Sequence, residues 1–455
     1  MIYILLVGLI IQLVYCYYVF KKDLFSPSAI ICEVFILSTL ACIYNTAGTD
    51  YDIQPITAGV ILGGNTVFIA VSSIIHFIFS EKHKTRAAIK GKEDLKYIEI
   101  RRGILVVTTL LYLIFSVVFI VMNISAMRNI SQADDFSASM GAYRGELLEE
   151  GSNLPGPITR INMILGTGVF VIVYIFINNL LVDKKRKSNY LLLFCVILYL
   201  FSSVFTAQRT TILIVFLFTL FVTYSLLNRK YQFTERINGK YMRRGILVVT
   251  IFLLLFGATR GLFGRAGEVA PIESVTNYMG NSIEFLDAYI RHPLESKQFG
   301  EETFWKSRDL LSKYNLVDPP TKSSFLEFRQ AVQGNQGNVY TGYRGYIHDF
   351  GYIAIIPFQV FLALFFGIWY ERINHRRLKS NIDLSFILFA WFIAFGLFRF
   401  SIANTCFTYM AYLFLTTRWL MFLLWKWFFG LKISINNNTS NRVSAKTYIR
   451  NHSSN

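Results

Sequence analysis

Asn338-Val-Tyr-Thr-Gly-Tyr-Arg-Gly-Tyr-Ile-His-Asp-Phe-Gly351 closes a polar stretch that opens at Thr259 and leads straight into the apolar run Phe350–Trp369. Another apolar run, Gly245–Ala258, precedes that stretch. A crossing of ~30 Å of hydrocarbon takes ~20 mostly apolar residues. Residues 259–349 are therefore expected to form one large loop held between two membrane spans.

Working outward with the same ruler gives spans at Ile2–Phe20, Pro27–Asn45, Pro55–Phe79, Gly103–Asn123, Ile161–Val182, Tyr190–Thr206 and Thr211–Leu227. Leu384–Ile402 and Thr405–Gly430 follow, which makes about eleven crossings by this ~20-residue rule. The composition agrees: 54% of the 455 residues are hydrophobic and only 16% charged, with a mean hydropathy of +0.44. The expected class is an all-α polytopic membrane protein. No internal repeat is visible, which disfavours transporter folds built from inverted repeats.

The formal charge of +17 reads as topology rather than nucleic-acid binding. Loop 80–102 carries eight Lys/Arg, loop 183–189 four, loop 228–244 six and loop 370–382 four. On the other parity, loop 46–54 has none, loop 124–160 three against five acids, and the large loop ten against eleven. The positive-inside rule places the basic loops in the cytoplasm and residues 259–349 on the outer face of the plasma membrane. The first span lacks a basic start and reads as a span, not a cleaved leader. Cys16, Cys32, Cys42, Cys195 and Cys406 lie within spans without metal-ligand spacing. No nucleotide-binding glycine loop occurs, and no cofactor or metal is implied. The Asn- and Ser-rich tail 431–455 reads as disordered.

Within the large loop, Ile272, Val275, Ile283 and Leu286 recur at helical spacing, and His292-Pro293 stops the pattern. This predicts an amphipathic helix over the bundle mouth or along the interface. A second helix is predicted over Glu302–Tyr314, and Gly334-Asn-Gln-Gly337 makes a turn. Asn338, Tyr340, Thr341, Tyr343, Arg344, Tyr346, His348 and Asp349 then crowd the membrane boundary. Tyr340, Tyr343 and Tyr346 offer faces for sugar rings, and packing is the competing account.

Arginines mark the same boundary. Arg260 and Arg265 follow the eighth span, Arg399 ends the tenth, and Arg209 is the lone charge in the apolar hairpin Tyr190–Leu227. Arg209 either snorkels to lipid phosphate or binds a phosphate group through its planar fork. Ionisable residues at membrane depth are functional candidates by default. An outward cavity with Arg209, Arg260, Arg344 and Arg399 would attract a pyrophosphate. Arg418 lies deeper and suits a structural role, and His76 suits a packed core position.

These patterns resemble the Wzy-type oligosaccharide repeat-unit polymerases of O-antigen and capsule synthesis. Gln208-Arg-Thr-Thr-Ile212 is similar to that family's arginine between two spans, although Ala207-Gln208 stands where glycines are usual. Tyr278-Met-Gly-Asn-Ser-Ile-Glu-Phe-Leu-Asp287 is similar to its loop helix. Residues 338–351 are similar to its Asn-x-Tyr-Thr and Asp-Phe-Gly ending. The resemblance covers about Tyr190 to Gly351 and implies a GT-C-like arrangement. It implies transfer of a growing glycan from undecaprenyl pyrophosphate to the next lipid-linked unit, with a chain-length-regulating co-polymerase as partner. Arg209, Arg260, Arg265, Arg344 and Arg399 would hold the pyrophosphate, and His348 or Asp349 would serve as base. Asp349 also suits a helix cap. An O-antigen ligase and a polysaccharide flippase are the competing readings.

Overall fold

The computed structural model describes residues 1–82, 95–130, 135–149, 154–183, 188–206, 209–231, 239–259, 270–321, 326–376, 378, 382–403 and 418–430. Among them the chain is almost wholly helical. It runs α1 (Ile2–Val19), α2 (Pro27–Thr46), α3 (Pro55–Lys82), α4 (Arg102–Ile130), α5 (Phe136–Glu149), α6 (Gly156–Val182), α7 (Ser188–Val204), α8 (Thr210–Tyr231) and α9 (Gly239–Ala258). Then come α10 (Pro271–Arg291), α11 (Trp305–Ser312), a short hairpin of β1 (Arg329–Gln330) and β2 (Gln336–Gly337), α12 (Tyr343–Phe350), α13 (Ile355–Asn374), α14 (Leu384–Phe395) and α15 (Arg418–Gly430).

Among the described residues, seven helices are long and apolar enough to cross a membrane: α1, α2, α3, α4, α6, α8 and the run Tyr352–Asn374 that contains α13. Shorter apolar helices lie at Asn189–Val204, Leu384–Arg399 and Trp419–Gly430. The protein is an all-α, multi-pass membrane protein. Apolar side chains point outward on α1 and α4, as lipid-facing helices require: Ile4, Ile11, Ile114 and Val121 are 60 to 64% exposed.

α3 and α13 run side by side in the same direction. Glu371 meets His76 at 2.7 Å, and one turn earlier the missing side chain of Gly367 leaves room for Ile75 and Ser72. Glu371 also reaches His375 at 3.1 Å, so a carboxylate between two imidazoles ties the ends of these helices. At the opposite end, the described residues of 270–350 pack on α2 and α3 as a cap.

α10 seats the cap. Its polar side chains face α2 and α3 instead of water. Asp287, fully buried, accepts from Thr57 Oγ1 at 2.5 Å, Gln54 N at 2.7 Å, Arg291 Nε at 2.8 Å and Tyr51 OH at 3.1 Å. Asn45 donates to Asn281 at 2.8 Å. Gly280 crosses α2 so closely that a Cβ would lie 2.6 Å from the Ala41–Cys42 backbone.

Several expectations shift. The amphipathic helix is found over Pro271–Arg291 and ends before His292-Pro293 as its sequence dictates. The second loop helix is only Trp305–Ser312. Residues 136–149, expected as loop, form α5. The ninth span begins with a separate helix, α12, a Gly351 turn and a single 3-10 turn before α13. The tenth breaks at Gly396, and Leu397–Arg399 form a 3-10 turn.

Candidate functional site

Two constellations occupy the capped end. The first is an apolar cluster with Arg209 stacked against it, the start of the 338–351 stretch packed on it, and Arg399 three residues before its member Ile402. Leu213, Phe256 and Ile402 form its buried core, with Tyr278 and Val339 packed against it. Leu213 lies one turn after Arg209 and donates its N–H to the Arg209 carbonyl. Ile402 does the same toward Arg399 at 2.9 Å. Arg209 is 5% exposed, stacks 4.5 Å from the Phe256 ring and donates Nη1 to the Phe256 carbonyl at 3.0 Å. That carbonyl lies in the last turn of α9, the negative end of the helix.

Arg399 is 7% exposed and stands 5.2 Å from the Phe395 ring. Its Nε has no hydrogen-bond partner, and among the described residues it forms no ion pair within 4.0 Å. The break at Gly396 produces this placement: a continued helix would carry Arg399 onward along the span, whereas the 3-10 turn folds Phe400 under the cap. Gly342 N donates to Phe400 O at 2.7 Å, and Thr341 beside it is fully buried with an unpartnered hydroxyl. Buried polar groups normally find partners. A buried guanidinium nitrogen and a buried hydroxyl that both lack partners are groups an anion would satisfy.

The second constellation surrounds Arg344. Its side chain is fully buried, with the guanidinium stacked between the rings of Tyr340 at 3.9 Å and Tyr289 at 4.5 Å. Its Nη2 donates to Glu302 Oε1 at 2.8 Å and to a Glu327 carboxylate oxygen. Burial pulls the Arg344 pKa down, but Glu302, Tyr340 and Glu327 outweigh it and hold the group above its ordinary value. Burial likewise raises Glu327, and the hydrogen bond from Arg344 prevails, leaving that carboxyl below the usual range. A pyrophosphate contact by Arg344 would require these pairs to open.

His348 shares a 3.0 Å hydrogen bond between Nδ1 and Tyr289 OH, and Nε2 lies 3.8 Å from Glu302 and 4.0 Å from Glu301. Burial pushes the Tyr289 hydroxyl up to about 12, so it stays protonated at neutral pH. Asp349 accepts from the backbone N–H groups of Thr303 at 2.7 Å and Glu302 at 3.2 Å, which fixes the loop before α11. Burial raises its carboxyl despite those bonds.

The three tyrosines offered as sugar platforms are all buried. Tyr340 covers Arg344, and Tyr346 stacks on Phe358 at 4.5 Å. Tyr343 packs between Phe35 and Phe400, and its hydroxyl donates to Asn65 at 2.6 Å. It fills the space left by Gly64, where a Cβ would fall 2.4 Å from the ring. Arg260 and Arg265 lie outside the described residues, as does the side chain of Arg418. Sequence reasoning missed Glu301, Glu302 and Glu327, because nothing in the spacing of an irregular loop signals which carboxylates fold inward. No protein-family description, curated protein or solved structure matches this chain.

Proposed function

We propose that the chain is a Wzy-type oligosaccharide repeat-unit polymerase. It would have about eleven crossings and a GT-C-like arrangement, and act on the outer face of a bacterial plasma membrane. The observation that carries this reading is a pair of nearly buried arginines at the capped end, Arg209 stacked on Phe256 and Arg399 beside Phe395 with its Nε unpartnered. Two nearly buried guanidiniums suit a pyrophosphate because each presents a planar fork of donors and cannot be deprotonated.

In the transfer, an acceptor hydroxyl oxygen attacks the anomeric carbon of the donor sugar. The bond from that carbon to the pyrophosphate oxygen breaks, and undecaprenyl pyrophosphate leaves with its added negative charge. Arg209 and Arg399 hold that charge as it develops, which is catalysis by prepositioned electrostatics. Arg260 and Arg265, following α9, are proposed to add to them. The hydroxyl proton passes to a base. His348 is the stronger candidate of the two, since Tyr289 orients its ring and Glu302 would stabilise the imidazolium. Asp349 is engaged by backbone donors. Arg344 enters as a positioning residue for the cap. A co-polymerase that sets chain length is the proposed partner.

The test is complementation of a strain lacking the gene, with surface polysaccharide resolved on a gel. Wild type is expected to restore a ladder, and Arg399→Gln and Arg209→Gln to leave only single-repeat material at normal protein levels. Loss of the single repeat as well would mean a ligase or flippase. A full ladder from both variants would remove the pyrophosphate site.

A further inference from the structure

Glu284 of α10 is a buried carboxylate without a counter-charge. It is 3% exposed, and among the described residues it forms no ion pair. Val332 N donates to its Oε2 at 3.0 Å, while its Oε1 meets no donor. Burial raises the carboxyl against the pull of that bond and of the neighbouring Asn45 amide. Asp287, one turn on, shows the contrast: it accepts four hydrogen bonds and pairs with Arg291. A charge taken out of water is normally paired or bound to a metal.

The groups around Glu284 present oxygen. Asn45, at the end of α2 and 2% exposed, spends its Nδ2 on the Thr276 carbonyl at 3.1 Å and on Asn281 Oδ1 at 2.8 Å. Those two acceptors fix the orientation of the amide, so its Oδ1 is the atom left without a donor. Asn277 precedes Asn281 by one turn on the same face of α10, and its Oδ1 is likewise buried without a donor. The hairpin turn covers the cluster: beside the Val332 bond, Gln333 Nε2 donates to the Asn45 carbonyl. Val332 and Gln333 are themselves exposed, so the cluster lies just under the water-facing surface of the cap.

Amide oxygens around one carboxylate are the ligand chemistry of a hard cation, and Ca²⁺ accepts ~6–8 such oxygens in irregular sets. We propose that Asn45, Asn277, Asn281 and Glu284 bind a calcium ion that stitches the cap to α2. Among the described residues no trio of His, Cys, Asp or Glu could hold a metal, and this site draws on amides instead. The calcium site would hold the cap whatever reaction occurs beneath it, and so stands apart from the polymerase reading.

The test uses the full chain in detergent, freed of divalent ions with EGTA and then given CaCl2, or NaCl at matched ionic strength. Tm is expected to rise by about 2–4 °C with CaCl2 and not with NaCl. Radiolabelled calcium is expected to bind wild type above the background of Glu284→Gln. That variant keeps the side-chain shape, removes the charge and should abolish both responses. Asn277→Ala, at a half-buried position, replaces it if Glu284→Gln does not purify, and should weaken calcium binding severalfold. A wild type that neither binds calcium nor gains Tm would overturn the site and leave a protonated Glu284 bonded to Asn45 in its place. An equal gain with NaCl, or a calcium response that Glu284→Gln retains, would overturn it as well.

Discussion

Arg344→Met is expected to unseat the cap, and the size of the effect follows from what surrounds the side chain. Removing the guanidinium takes the arginine counter-charge from Glu302, whose side chain is 2% exposed. Leaving one member of a buried ion pair alone costs about 3–5 kcal/mol. The lost stack between Tyr289 and Tyr340 adds ~0.5–2 kcal/mol. Glu327 contributes less, because at 27% exposure water partly replaces its partner. The assay is thermal unfolding of the purified protein followed by tryptophan fluorescence, with limited proteolysis of the cap alongside. A fall in Tm on the order of 5 °C or more is expected, together with earlier cleavage between residues 293 and 330. The variant Arg344→Met/Glu302→Gln/Glu327→Gln removes the stranded charges and should recover most of the loss. Arg344→Lys should fall between, keeping charge without the planar fork. A single Arg344→Met variant that melts like wild type would refute the reasoning, as would failure of the triple variant to recover stability.

Arg399→Met should behave oppositely: Tm unchanged or raised, because no carboxylate is stranded and a lone buried charge is removed, while polymer is lost from the gel. Gly280→Val should lower Tm by at least the ~1–3 kcal/mol typical of overpacking, since the obstacle is α2 backbone; an unchanged Tm would mean that α10 does not cross there. Asp349→Ala leaves the Glu302 and Thr303 N–H groups unpaired and should cost ~1–3 kcal/mol, seen as faster proteolysis before α11. Glu327 titrates below its ordinary range in the folded state, so its stabilisation is present above the unfolded value of ~4.3 and lost as pH falls through the folded one. The Tm gap between wild type and Glu327→Gln should therefore be open at pH 7 and closed once acidification passes the folded value; a gap that persists in acid would contradict the ion pair.

The spans and the amphipathic helix were legible because their signal is local. A run of apolar residues long enough to cross, or Ile272, Val275, Ile283 and Leu286 at helical steps, states its own conformation. α5 escaped notice because Phe136–Glu149 mixes small, polar and apolar residues without a dominant face. The arginines were found by their depth, but depth does not say which way a side chain turns. Arg344 and Arg399 read alike in sequence, and one is paired with two carboxylates while the other forms no ion pair among the described residues.

Sequence by itself determined that this protein threads a bilayer, where the polar cap interrupts the apolar runs, and which residues crowd the boundary. Those properties follow from the solvent each segment must meet. Only the tertiary structure decided the partners. Glu302, Glu327 and Arg344 meet because Asp349 of α12 holds the loop before α11, while the hairpin and α12 pack against the end of α10. Phe400, next to Arg399, meets Gly342 under the cap because the tenth span breaks at Gly396. Electrostatics depends on distance and burial, and both are set by contacts between residues far apart in the chain.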